Sequence, residues 1–187
     1  MRLSRGVRRA ISLLVLFCIV AFMQRDRILE QFYPLEYEDS VLEYSEEYGL
    51  ESSLVFGIIK VESKFKSDAV SRKGAIGLMQ IMPETGWWIA EKMGLEDFRE
   101  EDLYDHEINI KMGSWYMKNL VDEFGGNVET AVAAYNGGRG NVKKWLSDGR
   151  YSQDGENLSE IPFKETSDYV ERVMKAQSVY RDIYEGE

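Results

Sequence analysis

Cysteine and histidine are almost absent from this sequence of 187 residues, which contains one of each. Cys18 lies in an apolar N-terminal segment, so the remainder of the chain has neither a thiol nucleophile nor a disulfide bond. His106 stands alone, and no cysteines and histidines have the spacing of metal ligands or of a nucleophile with its base. No metal or cofactor is therefore expected. If the chain is an enzyme, its carboxylates must carry the chemistry.

Residues and segments that would separate domains are also scarce. Only three prolines occur, and there is no Gly/Ser-rich stretch, low-complexity segment or internal repeat. A hydrophobic fraction of 44% in a chain of this length supports one globular domain with a real core, and is too little for two. The predicted organisation is one domain, residues 28–187, preceded by a short segment, residues 1–27.

Strand patterns are missing as well. No segment alternates apolar and polar residues convincingly, whereas apolar residues recur at spacings of three and four along most of the chain. Gly49, Pro83 and Gly94 mark helix ends and starts. The fold class is therefore all-α, with many short helices around a cleft. Predicted helices cover 36–48, 54–61, 83–93, 105–124, 127–135, 139–147 and a last segment that begins at Thr166 or Ser167.

Charge is absent from residues 10–23, an unbroken run of 14 residues. Four arginines precede the run, and a basic segment before an apolar one starts a signal peptide or a signal anchor. The positive-inside rule would keep the N-terminus in the cytoplasm and export the rest. The run is short against the roughly 20 residues that span a bilayer, although arginines at its ends can extend it by snorkelling. Residues 1–27 are predicted to form an uncleaved, single-pass transmembrane helix in the cell membrane.

Three alternatives to this anchor stay open. A cleaved signal peptide would want small residues before the cut, and the run ends in Ala-Phe-Met-Gln-Arg instead. A lipoprotein would need a small residue before Cys18, where Phe17 stands. The third alternative is a buried or surface helix of a cytosolic protein, which the flanking arginines disfavour.

Basic residues are few outside this segment. Residues 1–27 hold six Arg and one Asp, which leaves 17 basic and 32 acidic residues in the remainder, a net charge of −15. This balance argues against nucleic acid as a partner and against strong attraction to an anionic polymer.

Glu62 is the most promising carboxylate. It follows the apolar segment 54–61, so its side chain emerges from a hydrophobic wall near a helix C-terminus. Desolvation and the helix dipole both disfavour the charged form there and raise the pKa, as a general acid near neutral pH requires. The alternative is an ordinary solvated glutamate at a frayed helix end.

Three further segments place polar side chains at turns or helix ends, and two of them also contain glycine. GAIGLMQIMPETG, residues 74–86, has two glycines three apart and then Gln80, whose amide both donates and accepts hydrogen bonds. AVAAYNGG, residues 131–138, is a small-residue helix that ends in Tyr135 and Asn136. ETSDYV, residues 165–170, opens the last helix. Each segment alone is also compatible with simple helix capping and core packing.

Together these segments resemble the catalytic domain of the soluble lytic transglycosylases, which is related more distantly to goose-type lysozyme. The resemblance covers roughly residues 40–184 and rests on VES at 61–63, S-x-x-GAIGLMQIMP at 71–83, AYNGG at 134–138 and ETSDYV, in the family's order. It implies a lysozyme-like fold and an enzyme that acts on peptidoglycan glycan strands. With the N-terminal anchor, the catalytic domain is expected outside the cell membrane, facing the cell wall, and the protein is expected to be monomeric. By this resemblance Glu62 is the catalytic acid/base, and the substrate-binding residues are Ser71, Met79, Gln80, Tyr135, Asn136, Glu165 and Tyr169.

The resemblance also implies a mechanism with one carboxylate. Ordinary glycosidases use two, about 5–5.5 Å apart for retention or about 6.5–9.5 Å apart for inversion. Here Glu62 protonates the bond between N-acetylmuramic acid and N-acetylglucosamine and then deprotonates the C6 hydroxyl, which closes onto C1 and gives a 1,6-anhydro sugar. Hydrolysis like that of lysozyme is the nearest alternative, with Asp68 as a candidate second carboxylate. A non-catalytic glycan-binding protein is the other alternative.

The remaining conspicuous residues are given structural roles. The four tryptophans (87, 88, 115 and 145) lie at helical spacing and are expected in the core rather than stacked on sugars. His106 is expected at the surface or as a capping residue of the helix 105–124. The acidic run 96–105 is expected to be a solvated loop.

Overall fold

A computed structural model describes residues 5–185 of the chain, and its helices confirm the all-α class. In the described part no strand forms, and only isolated antiparallel bridges join Ile76 to Val70 and to Ile81. The helices are α1 (Arg5–Met23), α2 (Arg25–Phe32), α3 (Glu38–Tyr48), α4 (Ser52–Glu62), α5 (Pro83–Met93), α6 (His106–Glu123), α7 (Val128–Gly137), α8 (Arg139–Leu146) and α9 (Lys164–Tyr180). A 3-10 helix (Glu100–Tyr104) precedes α6, and a π-helical turn (Arg181–Glu185) follows α9.

Helix α4 is the centre of the core. Every residue from Ser53 to Ile59 is buried, because this short helix is apolar on all sides and packs against both α3 and α9. Its contact with α9 depends on Gly57, since a Cβ at this position would lie only 3.1 Å from the backbone nitrogen of Gln177. The tight packing fixes the C-terminal end of α4, and with it Glu62.

Helix α7 lies between α6, α8 and α9. Its run of small residues, Thr130 to Ala134, is fully buried, which allows the three neighbouring helices to approach closely. Asn127 caps its first turn as predicted, because the side-chain oxygen accepts a hydrogen bond of 2.9 Å from the backbone N–H of Thr130. This packing places Tyr135 and Asn136, at the C-terminal end of α7, beside the end of α4.

Several predicted boundaries need correction. Helix α9 begins at Lys164, not at Thr166 or Ser167, because the Thr166 side chain is used in a contact with another helix and caps nothing. Asp105, rather than His106, caps α6, and its carboxylate accepts from the N–H of Ile108 at 3.0 Å. The acidic run is not simply a solvated loop, because Leu103 within it is fully buried and anchors the 3-10 helix.

The N-terminal helix also differs from the prediction. Among residues 5–185, no helix is both long and apolar enough to cross a membrane. The reason lies in α1 itself, since three of its first five residues are arginine and only residues 10–23 are free of charge. At about 1.5 Å per residue, an uncharged stretch of that length reaches roughly 21 Å against a hydrocarbon core of about 30 Å.

Candidate active site

A cleft of about 700 Å³ opens between the long loop 63–82, the end of α7 and the start of α9. Three chain segments far apart in sequence therefore meet here, as the four sequence motifs suggested. The cleft is lined by Glu62, Ser71, Arg72, Lys73, Ala75, Gln80, Met82, Tyr135, Asn136, Gly137, Phe163, Lys164, Glu165 and Thr166. Of the eight residues expected in the site, six line it, and Met79 and Tyr169 lie behind its wall.

Glu62 forms part of the floor of this cleft. It is the last residue of α4, and its Oε1 accepts a hydrogen bond of 2.8 Å from the hydroxyl of Tyr169. Burial among apolar neighbours raises the pKa of Glu62 to about 7, although the Tyr169 hydrogen bond and the positive charge of Arg172 both act to lower it. At neutral pH the carboxyl is therefore close to half protonated and able both to donate and to accept a proton.

Among the described residues, no second carboxylate contributes to the pKa shift of Glu62. Asp68, the candidate partner for hydrolysis, is exposed and is not among the residues that line the cleft. Glu165 does line the cleft, but its side chain is 75% exposed and forms an ion pair of 3.7 Å with Lys73. Neither acid is among the charges that shift the pKa of Glu62.

The loop 63–82 is held by a buried asparagine on α6. The Nδ2 of Asn109 donates to the backbone carbonyls of Ile76 (3.0 Å) and Leu103 (2.7 Å), and its Oδ1 accepts from the N–H of Met79 at 2.8 Å. Gly77 adopts a positive φ of 80° directly against this side chain, where a Cβ would collide with the Asn109 amide. Asn109 is thus the residue that shapes the loop carrying Ser71 and Gln80.

Ser71 and Gln80 line the cleft from this loop. The Ser71 hydroxyl accepts from the N–H of Ala75 at 2.9 Å and closes the turn 71–75. Gln80 has a positive φ of 50°, unusual for a residue with a side chain. Its Nε2 donates to the carbonyls of Ala69 (3.1 Å) and Gly77 (2.8 Å), which fixes the amide orientation because both partners can only accept. No described residue donates a hydrogen bond to its Oε1, and Gln80 lines the cleft, so this oxygen can accept one from a substrate.

Tyr135 and Met79 act as a pair. The Tyr135 hydroxyl donates to the backbone carbonyl of Met79 at 2.8 Å. Burial, and then the nearby charge of Glu62, keep the pKa of Tyr135 well above its usual value, so the phenol stays neutral. Because its proton is committed to Met79, the oxygen presents lone pairs to its other neighbours. Met79 is expected among the substrate-binding residues, but its side chain is fully buried against Gly113, so only its backbone is near the cleft.

The opposite wall joins α7 to α9. The Thr166 hydroxyl donates to Oδ1 of Asn136 at 3.0 Å, and a Cβ at Gly137 would lie 3.0 Å from the same hydroxyl oxygen. The Asn141 amide donates to the carbonyl of Gly137 at 2.8 Å and closes the end of α7. This wall therefore holds Asn136 at the cleft surface. Tyr169 follows one turn later on α9 and is buried, so it contacts Glu62 rather than the open cleft.

The tryptophans divide between core and surface. Trp145 is buried and packs edge-to-face on Phe163 with ring centroids 5.0 Å apart. Trp88 and Trp115 are half-buried and contact each other, with ring centroids 5.8 Å apart. Trp87 departs from the expectation of a core position, because half of its surface is exposed.

Asn109 and Thr166 are the two important residues that the motifs did not identify as supports of the site. Asn109 sits between Ile108 and Ile110 in a predicted helix, so a polar residue on a buried face was the available signal. Thr166 was attributed to capping because it stands at a helix start, and only the position of Asn136 distinguishes the two roles.

Comparison with known proteins places this geometry in context. The profile of the transglycosylase SLT domain matches residues 39–158. The soluble lytic murein transglycosylase of Salmonella typhimurium is 36% identical over 82% of this chain and 24% of its own length. The membrane-bound lytic murein transglycosylase C of Actinobacillus pleuropneumoniae is 32% identical over 79% of this chain and 46% of its own length.

Solved structures agree with these sequence matches. An inactive Glu-to-Gln mutant of the lytic transglycosylase Slt from Pseudomonas aeruginosa superimposes with a TM-score of 0.75 at 33% identity, over 84% of this chain and 26% of that one. A 70 kDa soluble lytic transglycosylase in complex with bulgecin A gives a TM-score of 0.76 at 31% identity, over 85% of this chain and 26% of that one. This chain thus spans about a quarter of the soluble relatives and under half of the membrane-bound one. With a family profile that covers most of its length, the chain belongs to the transglycosylase SLT domain family.

Proposed function

We propose that this protein is a peptidoglycan lytic transglycosylase. It cleaves the β-1,4 bond between N-acetylmuramic acid and N-acetylglucosamine without water and leaves a 1,6-anhydro-muramic acid end. The observation that carries the proposal is the isolation of Glu62, whose pKa of about 7 suits an acid that must later act as a base, in a cleft where no second carboxylate influences it.

The first step is proton transfer to the glycosidic oxygen. Protonated Glu62 donates its proton as the bond from C1 to this oxygen breaks, and the N-acetylglucosamine leaves as a neutral alcohol. The hydrogen bond from Tyr169 holds one carboxyl oxygen in place, so the other is directed to the leaving group. Glu62 is now a carboxylate, and C1 carries positive charge.

Tyr135 stabilises this positive charge. Its proton is already given to the Met79 carbonyl, so the phenolic oxygen offers a lone pair to an electron-deficient C1. The acetamido group of the substrate is a second source of stabilisation. A neutral phenol suits this role, because a permanently charged neighbour would also bind the ground state.

The second step closes the ring. The Glu62 carboxylate removes the proton from the C6 hydroxyl, and the C6 oxygen forms a bond to C1. The enzyme regains its starting protonation state, and no water is consumed. The single carboxylate is thus acid and then base, and the desolvation that raises its pKa favours recovery of the proton.

The cleft offers polar groups for the sugar substituents. Ser71, the free Oε1 of Gln80 and Asn136 are placed to bind hydroxyl and acetamido groups, and Glu165 orients the substrate at the outer edge. Uncharged recognition of this kind agrees with the acidic character of the chain, which gives no general attraction to an anionic polymer. One solved relative is inactive as a Glu-to-Gln mutant, which supports a glutamate as the catalytic residue.

Mass analysis of the fragments released from purified cell wall tests the function. Anhydro-muropeptides from the wild-type protein, and none from Glu62→Gln, are the expected result. Fragments with reducing ends would show that the enzyme hydrolyses the bond instead, and Asp68→Asn would then be the next variant to test. Cell-wall binding without any released fragment would instead indicate a non-catalytic glycan-binding protein.

We also propose that α1 attaches the chain to the cell membrane, with residues 28–187 as a monomeric catalytic domain outside, facing the cell wall. The large apolar side chains of α1 support attachment, because Leu13, Leu14, Leu16 and Phe17 are all more than half exposed. Arg5, Arg8 and Arg9 in its first turns favour an N-terminus that stays inside. Fractionation of cells followed by protease treatment of spheroplasts tests it, and recovery in the soluble fraction would refute it.

A further inference from the structure

Behind the catalytic cleft lies a second hollow of about 510 Å³, between the end of α2, the end of α4 and the outer face of α9. We call it the basic hollow, because Lys60, Lys64, Arg172 and Lys175 all line it and no acidic residue does. Four cations around one hollow are unusual in a chain of net charge −10.

Among residues 5–185, none of these four cations forms an ion pair with a carboxylate, although the charge of Arg172 acts at longer range on Glu62. The ion pairs in this part of the chain involve other lysines and arginines. Three acidic residues, Glu165, Asp168 and Glu171, line an adjoining depression next to Arg172 and Lys175 rather than the hollow itself. Lys60 donates to the carbonyl of Phe32 and lies over the ring of Tyr33 at 4.2 Å. Burial, and then the charge of Lys64, lower the pKa of Lys60, as expected for cations held close together. An anion in the hollow would relieve this repulsion.

The rim of the basic hollow lies close in sequence to the apolar N-terminal helix α1. Helix α2, eight residues long and therefore about 12 Å, follows α1 and ends at the rim, which residues 31–34 form. This rim is firmly attached to the domain, since the hydroxyls of Tyr180 and Tyr184 donate to the carbonyls of Pro34 (3.1 Å) and Tyr33 (2.8 Å). Phe32 stands on the rim with 64% of its surface exposed.

We propose that the basic hollow docks on the membrane surface by binding the phosphate headgroup of an anionic phospholipid. The proposal rests on the membrane attachment by α1, because that attachment brings the hollow within a short helix of the bilayer. Lys64 and Lys175 pair with the headgroup, and Phe32 enters the interfacial layer beside it. Docking also holds the catalytic cleft in a fixed orientation relative to the membrane. This follows because α9 carries Arg172 and Lys175 at the hollow, while its first turn forms part of the cleft wall.

The test compares binding of the full-length chain to vesicles of pure phosphatidylcholine and of phosphatidylcholine with 30 mol% phosphatidylglycerol. Lys64→Gln/Lys175→Gln is the test variant, and Lys92→Gln/Lys144→Gln, which removes the same charge from exposed positions outside the hollow, is the matched control. We expect the wild type and the control to prefer anionic vesicles. The test variant should lose roughly fivefold in partitioning for each lysine on anionic vesicles, and nothing on neutral ones. High salt should remove the difference.

Each outcome has a separate meaning. Equal loss in the test and control variants, or no preference of the wild type for anionic vesicles, would overturn the proposal. Binding to a soluble polyphosphate without a preference among vesicles would assign the hollow to an anionic polymer and would overturn it as well. Failure to bind any vesicle would refute membrane attachment itself, and cleavage of purified cell wall, measured separately, should be the same in both variants.

Discussion

The floor and the rim of the catalytic cleft each carry a carboxylate in very different surroundings. On the floor, Glu62 is surrounded by apolar side chains and bonded to Tyr169, with Tyr135 nearby. On the rim, Glu165 faces water and pairs loosely with Lys73. The low dielectric of the floor makes each interaction strong, whereas solvent screens those of the rim. The comparison teaches that burial, and not the mere presence of an acid in the cleft, selects the residue that transfers protons.

Glu62→Gln should have the largest effect. The amide keeps the shape and can still accept from Tyr169, but it can neither donate nor take up the proton, so activity on purified cell wall should fall by at least about 10³-fold. Release of soluble muropeptides measures it. Activity within tenfold of the wild type would mean that Glu62 is not the acid.

Tyr135→Phe should have the next largest effect. The substitution removes the lone pair near C1 and leaves the Met79 carbonyl without its donor, so the rate at saturating substrate should fall on the order of 10²-fold. Circular dichroism should show an unchanged fold, because the ring remains. An effect on KM alone would indicate binding rather than stabilisation of charge.

Glu62→Gln should also stabilise the fold in a pH-dependent way. In the folded protein the pKa of Glu62 is about 7, above the ordinary value of 4.5, so the folded state holds a proton that the unfolded chain has released between these values. The contribution of Glu62 to the free energy of unfolding of the wild type is fully present below pH 4.5 and is lost as the pH rises through 7. The advantage of the glutamine variant should therefore grow over this window to about 3 kcal/mol above pH 8. Urea denaturation at pH 5 and pH 8.5 measures it, and an equal difference at both would contradict it.

The pH profile of kcat/KM should report the same carboxyl. Activity should fall about tenfold per pH unit above pH 7, because only protonated Glu62 begins the reaction. Tyr169→Phe removes a hydrogen bond that favours the charged form, so its alkaline limb should move to higher pH. A limb that stays in place would show that Tyr169 does not tune Glu62.

Glu165→Gln should have the smallest effect. Its pair with Lys73 is exposed and screened, so activity should fall by less than about tenfold, with the loss seen mainly in KM. Lys73→Gln is the matched variant from the other side of the pair. A loss comparable to that of Glu62→Gln would make the rim a second catalytic centre and would end the contrast with the floor.

Much of the fold could be predicted because helix starts and ends depend on residues close together in sequence. Helix α5 begins and ends where Pro83 and Gly94 indicated, and α7 is capped by Asn127 as expected. The start of α9 was misplaced because Thr166 looks like a cap locally but bonds to Asn136, 30 residues earlier. The transmembrane prediction for residues 1–27 relied on snorkelling arginines to extend a short apolar run, and no helix among the described residues is long and apolar enough to cross a membrane.

The sequence by itself determined the all-α class, because helical periodicity is visible without coordinates. It also led to Glu62, because this residue ends an apolar segment and lies in a motif that resembles the lytic transglycosylases. Only the tertiary structure decided which partners Glu62 has. It buried Met79 and committed the Tyr135 hydroxyl to its carbonyl, left Asp68 outside the cleft and brought Asn109 under the loop. These contacts join residues that are 30 to more than 100 positions apart. Their occurrence depends on how helices pack, and no local pattern in the chain records that packing.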